Sequence, residues 1–206
     1  MFKRVLGALT CCGALVTLAG PAQAGTIMAA EFAGQPLIYQ DEGRVSGCGV
    51  RIFGLTKYTS PSDVVRTIDS SMSFYASGMS LLKAGVGTTT GEAITTQQLS
   101  LKPVRISNFW MRRAGDNPPA PLNGKVHRSP EQPNFLLYAI PMASFADLSE
   151  VVYGQVELQI GVRPEKSGVD WVLSGKVVMS DEDIHRFGDC IGTILKNVNH
   201  QQEAPR

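Results

Sequence analysis

Long hydrophobic runs are missing from this 206-residue chain. The longest, between Val5 and Leu18, covers roughly 14 positions, short of the roughly 20 that a membrane-spanning helix needs. A charge excess of either sign is missing too: 19 lysines and arginines face 18 aspartates and glutamates. Nucleic-acid binding depends on concentrated positive charge, so this balance gives no reason to expect a nucleic-acid partner. Histidine is scarce, with three residues, and cysteine numbers only four. A zinc site would need more such ligands at suitable spacing. Past residue 24 there is no Gly-x-Ser-x-Gly elbow, His-Glu-x-x-His pair, Walker loop, calcium-loop pattern or Cys-x-x-Cys. The common catalytic and cofactor signatures go with them, and neither a cofactor nor a metal is expected.

What the chain does have begins with a leader. Lys3 and Arg4 supply a positive start, Val5 to Leu18 a short apolar core, and Pro21 a helix break before Ala22-Gln23-Ala24. A signal peptidase accepts that small-x-small ending, so residues 1–24 read as a cleavable export signal and the mature chain begins near Gly25. A lipoprotein reading, with cleavage and acylation at Leu9-Thr10-Cys11-Cys12, would leave an apolar core of only about six residues, below the usual minimum. Cleavage after Ala24 leaves about 182 residues, enough for one domain with a sizeable core. Lys3 and Arg4 depart with the leader, so 17 of the 19 basic residues remain against 18 acidic ones, a formal charge of −1. The expected location is periplasmic or secreted, and no membrane span is expected after cleavage.

Cys11 and Cys12 leave with the signal, so Cys48 and Cys190 alone remain. In an oxidising compartment two cysteines permit one intramolecular bond. On the chain-entropy view, closing so long a loop stabilises a fold by roughly 5 kcal/mol, less any native strain. Two buried thiols or a nucleophilic cysteine are the alternatives to a disulfide.

Residues 25–43 are weakly patterned and are expected to reach order only through Leu37-Ile38-Tyr39. Val45 to Leu55 reads as a strand with Cys48, Val50 and Ile52 on one face. Ser60-Pro61-Ser62-Asp63 is a turn cluster. Over residues 64–83, the serines and Gly78 favour two strands over one helix. Residues 84–100 are rich in Gly, Thr and Gln and read as a solvated connection. Leu101 to Met111 reads as a strand with Val104, Ile106, Asn108 and Trp110 sharing a face. Residues 114–134 hold five of the twelve prolines, which confines this piece to a loop or a sheet edge.

The last third carries the clearest pattern. Phe135 to Ile140 is a continuous apolar strand signal, and Val156 to Val162 and Val169 to Val177 alternate around a hairpin connection at 163–168. Ser180 can cap a helix over 181–198 whose first turn holds Asp181, Glu182 and Asp183. Ile184, Phe187, Ile191, Ile194, Leu195 and Val198 form its apolar stripe, with Cys190 at the edge. The expected fold class is mainly β, an antiparallel sandwich-like or curved sheet with one packed C-terminal helix, α+β being the alternative. A single domain is expected over 25–206.

Few side chains suggest chemistry. Gly85-Val86-Gly87 superficially resembles a phosphate-binding loop, but it lacks the Gly-Lys-Ser/Thr ending and reads as a flexible turn. The acids 181–183 point about 100° apart on a helix and serve capping and the helix dipole better than a metal. Asp69-Ser70-Ser71 reads as strand or turn surface. His200 and His185 read as surface residues; His127, in the proline-rich loop, is the histidine suited to proton transfer. Lys102, Arg105, Arg112, Arg113, Lys125 and Arg128 cluster around that loop, opposed locally only by Asp116 and Glu131. Guanidinium groups recognise carboxylates and phosphates, and Trp110 offers stacking area. The candidate partner-binding residues are therefore Arg105, Trp110, Arg112, Arg113, Lys125, His127 and Arg128. A solvated edge that discourages sheet aggregation is the favoured reading of these charges; as a contact surface they would suit a protein or an anionic envelope component.

These features point to an exported, non-enzymatic binding or envelope-assembly domain. The alternatives are a small extracytoplasmic hydrolase using His127 with an acid not assignable from sequence, and a structural envelope subunit. N-terminal sequencing of the exported protein is expected to start at Gly25. Cytosolic material with an intact Met1 and both thiols open to alkylation would contradict this reading.

Overall fold

The computed structural model describes residues 26–98, 100–116, 126–129, 131–153 and 156–203, with residues 197–203 as backbone alone. The expected leader 1–24 and residues 117–125 and 130 of the proline-rich loop, Lys125 among them, lie outside these residues. In chain order the elements are β1 (Thr26–Asp41), β2 (Arg44–Thr56), β3 (Val64–Tyr75), β4 (Ser80–Thr90), α1 (Gly91–Thr95), β5 (Lys102–Val104) and β6 (Ile106–Arg113). There follow β7 (His127–Arg128), β8 (Phe135–Ile140), α2 (Met142–Ser149), a 3-10 turn (Glu150–Tyr153), β9 (Leu158–Pro164), β10 (Trp171–Gly175), β11 (Val177–Val178) and α3 (Asp181–Glu203).

The strands form one sheet in the order β6-β9-β10-β1-β2-β3-β4-β8-β7, with β11 added to β1 and β5 to β4. Its pairs are antiparallel except β1 with β10 and β1 with β11, so the sheet is mixed. One residue, Arg105, separates β5 from β6. The bent strand 102–113 thus pairs with β4 at its start and with β9 at its end, and it links two strands that lie far apart in the strand order. The sheet curls accordingly: the Phe109 and Tyr138 rings, from β6 and β8, meet edge-on with centroids 5.0 Å apart. Of the two sheet forms expected, the curved one is present, backed by the C-terminal helix.

Period-2 alternation places one face of each strand inward. Phe32, Ile52, Ile68, Leu82, Ile160 and Leu173 are buried in a single cluster. Gly54 gives Phe32 its space, because a Cβ there would come within 2.3 Å of that ring. The β3–β4 hairpin confirms two strands over 64–83. Asp63 closes the preceding turn by accepting the Thr59 and Ser60 amides at 2.8 and 2.9 Å. Those amides favour the charged carboxylate and hold its pKa below the ordinary value.

Four local expectations are corrected. Residues 26–41 form a long strand throughout. Glu42 and Gly43, at φ 47° and 76°, make the positive-φ turn that returns the chain along it. The segment 84–100 is no solvated connection: β4 runs to Thr90, and Gly85 and Gly87 sit within it. Phe135 lies over Gly85, which explains a glycine where a loop was expected. In β6 an irregularity between Ile106 and Asn108 shifts the register. Ile106, Phe109 and Met111 face the core as a result, and Trp110 turns to the other side. Finally, α3 continues to Glu203 and takes in part of the tail expected to fray. The expectations for the Val198 and His200 side chains fall outside the description.

The α3 helix begins as its sequence indicates. The Ser180 hydroxyl accepts the Asp183 amide at 3.1 Å and donates to the Asp183 carboxylate at 2.9 Å. Its buried stripe is Phe187, Cys190 and Ile194, and Leu195 remains 41% exposed. Cys190 is bonded to Cys48 of β2 with Cα atoms 5.9 Å apart across a sequence separation of 142. Replacing both cysteines by serine is expected to lower unfolding free energy by about 2–5 kcal/mol. Urea titration reads this directly, and an unchanged midpoint would deny the bond a stabilising role.

Candidate functional site

The register shift in β6 builds the first candidate surface. Trp110 lies over Gly161 of β9, where an added Cβ would come within 2.0 Å of the indole. Its Nε1 donates to Asp170 at 3.0 Å, and Asp170 also accepts Arg163 Nε at 2.7 Å. Two residues along β6, Arg112 places its guanidinium 4.9 Å from the Trp110 ring centre. Arg112 donates to the Gln159 side chain at 2.9 Å and to the Asp116 carbonyl at 3.1 Å. Among the described residues no carboxylate pairs with it.

The other expected contact residues divide by partner. Arg113 pairs with Asp116 at 3.1 Å and with Glu150 at 2.5 Å, and both acids push its pKa above the ordinary value. Arg128 donates to the Pro133 carbonyl at 2.8 Å, the Ile106 carbonyl at 3.2 Å and Glu165 at 3.0 Å. Arg105, mostly exposed, stands 3.8 Å from the same Glu165. His127 is exposed and its strand pairs with Leu137. Among the described residues its imidazole hydrogen-bonds no carboxylate. Lys125 lies outside the described residues.

The candidates thus form two groups rather than one. Arg105 and Arg128 gather at Glu165, near the start of β6, and Arg112 and Arg113 sit at its end. Seven residues of strand separate the groups by about 23 Å. The acids Glu150, Glu165 and Asp170 come from distant sequence, so a count of local charges overlooks them.

The second surface had no motif to announce it. On the outward face of β1 to β4 three adjoining hollows of about 480, 240 and 290 Å³ form a trough open to solvent. Phe53 lines the first two, and Arg51, Asp69 and Phe135 line the last two. Arg51 and Asp69 form a two-pronged pair at 2.9 and 2.7 Å across β2 and β3. Lys83 donates to Gln132 at 2.7 Å and stands 4.5 Å from the Phe135 ring centre. Lys57 and Lys176 rim the first hollow beside Glu31, Leu55 and Val178. The only sequence signal for this surface is parity: these residues occupy the alternate positions left over by the core.

Among the described residues, no group of three or more His, Cys, Asp or Glu is placed to hold a metal ion, and no helix is long and apolar enough to cross a membrane. No family model matches the chain, and neither does any curated protein or solved structure.

Beside the trough, Tyr39 and Tyr75 pack with ring centres 5.1 Å apart. Burial, reinforced by Tyr39, pushes the Tyr75 hydroxyl up to about 12. Since free tyrosine ionises near 10, the unfolded chain loses this proton first. The stabilising difference is complete below pH 10 and is lost as pH rises toward 12. Burial raises the Tyr138 hydroxyl as well, so absorbance titration is expected to show more than one tyrosine ionising late, and Tyr75→Phe to remove the step near pH 12.

Proposed function

We propose that this chain is an exported, non-enzymatic domain that binds a partner or supports an envelope assembly. The partner meets the Trp110–Arg112 side of the sheet. The observation that carries this reading is Arg112: its charge is spread over an indole face, fixed by two neutral acceptors and matched by no described carboxylate. A guanidinium so held is ready for an external carboxylate or phosphate, and little side-chain freedom is lost on capture. Arg113 and Arg128 serve the fold instead, tying β6 and β7 to Glu150 and Glu165.

Export is supported by the leader and by the Cys48–Cys190 bond, since such bonds persist in oxidising compartments. The location is periplasmic or secreted, and the partner is a protein or an anionic envelope component. The test is affinity capture from the native envelope with the mature chain as bait. Arg112→Glu is expected to reduce capture at least about tenfold with the melting temperature kept. Arg113→Glu is expected to act the other way, lowering melting temperature by setting a third acid beside Asp116 and Glu150. Unchanged capture by Arg112→Glu would remove this surface from consideration.

A further inference from the structure

The Trp110–Arg112 side leaves unexplained the trough on β1 to β4. The geometry points to a binding surface there for a sparsely carboxylated glycan chain laid across the strands. From β1 to β8 the trough crosses four inter-strand spacings, about 19 Å. Each of its hollows is open to solvent rather than enclosed, which suits a segment of a polymer better than a small molecule enclosed on all sides. Because β2, β3 and β4 are paired on both edges, recognition has to go through side chains, and an added peptide strand finds no free backbone.

The chemistry of the lining selects among polymers. Phe53 and Phe135 present apolar ring area of the kind that packs against the C–H faces of sugars. Between them lies the Arg51–Asp69 pair, which uses two of the five guanidinium donors. An acyl chain over that pair would desolvate it with no compensating hydrogen bond, whereas hydroxyl and carboxylate groups can bond to it. Four cations, Arg51, Lys57, Lys83 and Lys176, line the trough against two anions, Glu31 and Asp69. A surplus of two charges over that length is far below the density of a nucleic-acid strand, with one phosphate per about 3.4 Å. It matches a glycan carrying occasional carboxylates.

The mature protein would be titrated by calorimetry with a galacturonate hexasaccharide methyl-esterified at four of its six carboxyls, a neutral glucan hexasaccharide, single-stranded DNA and phosphatidylglycerol vesicles. The galacturonate is expected to bind, with the neutral glucan at least about fivefold weaker. Phe53→Ala and the exposed pair Lys57→Glu/Lys176→Glu are each expected to weaken binding about tenfold. The lysine variant keeps its melting temperature, so loss of binding is separated from loss of fold. Arg112→Glu leaves the affinity unchanged, which separates this surface from the β6 side. Absence of galacturonate binding, unaltered affinity in the trough variants, or preference for DNA or vesicles would overturn the assignment. So would loss of binding in Arg112→Glu alone.

Discussion

A curved sheet with an apolar inner face has to cover that face, and here much of the cover is α3, bonded to β2 through Cys48 and Cys190. Phe187 and Ile194 are buried on the same side of the helix, each contributing about 1.5–3 kcal/mol. The helix lies against Cys48 through that bond, while Phe74 packs on Phe145 of α2 with ring centres 5.7 Å apart. The bond itself is buried, with Cys48 and Cys190 at 0% and 4% exposure. It ties the last helix to the second strand, so the two ends of the chain share one core. The outward face of β1 to β4 is left to solvent because of this: its inward side packs into the core.

The other organising constraint is the bent strand 102–113. By pairing with β4 and then β9 it links distant members of the strand order, and its register shift decides which side chains face out. Phe109 and Met111 go to the core, while Trp110 and Arg112 remain outside against Gly161 and Gln159. The shift separates cations that are neighbours in sequence. Arg113 pairs with Glu150, while adjacent Arg112 lies on Trp110 with no carboxylate partner among the described residues. Two arginines side by side in sequence thereby acquire different physical roles.

Much of the architecture was legible. The strands at 44–56, 135–140 and 158–164 and the capped helix at 181 follow from alternation, a serine N-cap and an apolar stripe, all short-range signals. The cysteine pair followed from elimination once the leader was set aside. What misled was glycine. Gly85 and Gly87 suggested a loop, yet they make room in a strand for neighbours that alignment along the chain could not reveal. The weak pattern over 26–41 likewise concealed a strand supported by four partners, β2, β10, β11 and, through its inner face, α3. The α2 helix, between Pro141 and the 3-10 turn, had no signal strong enough to place it.

By itself the sequence determined the element types wherever periodicity or capping was strong, the two cysteines free to pair, and the scarcity of catalytic and metal-binding patterns. These are local properties, written in neighbouring residues. Only the tertiary structure decided which charges are spent on the fold and which face outward. Ion pairs form between residues as far apart as Arg113 and Glu150 or Arg128 and Glu165, and a single shift of register reverses the face a side chain presents. The trough belongs to the same class: Arg51, Asp69 and Phe135 come from three strands, and curvature and pairing order alone bring them together.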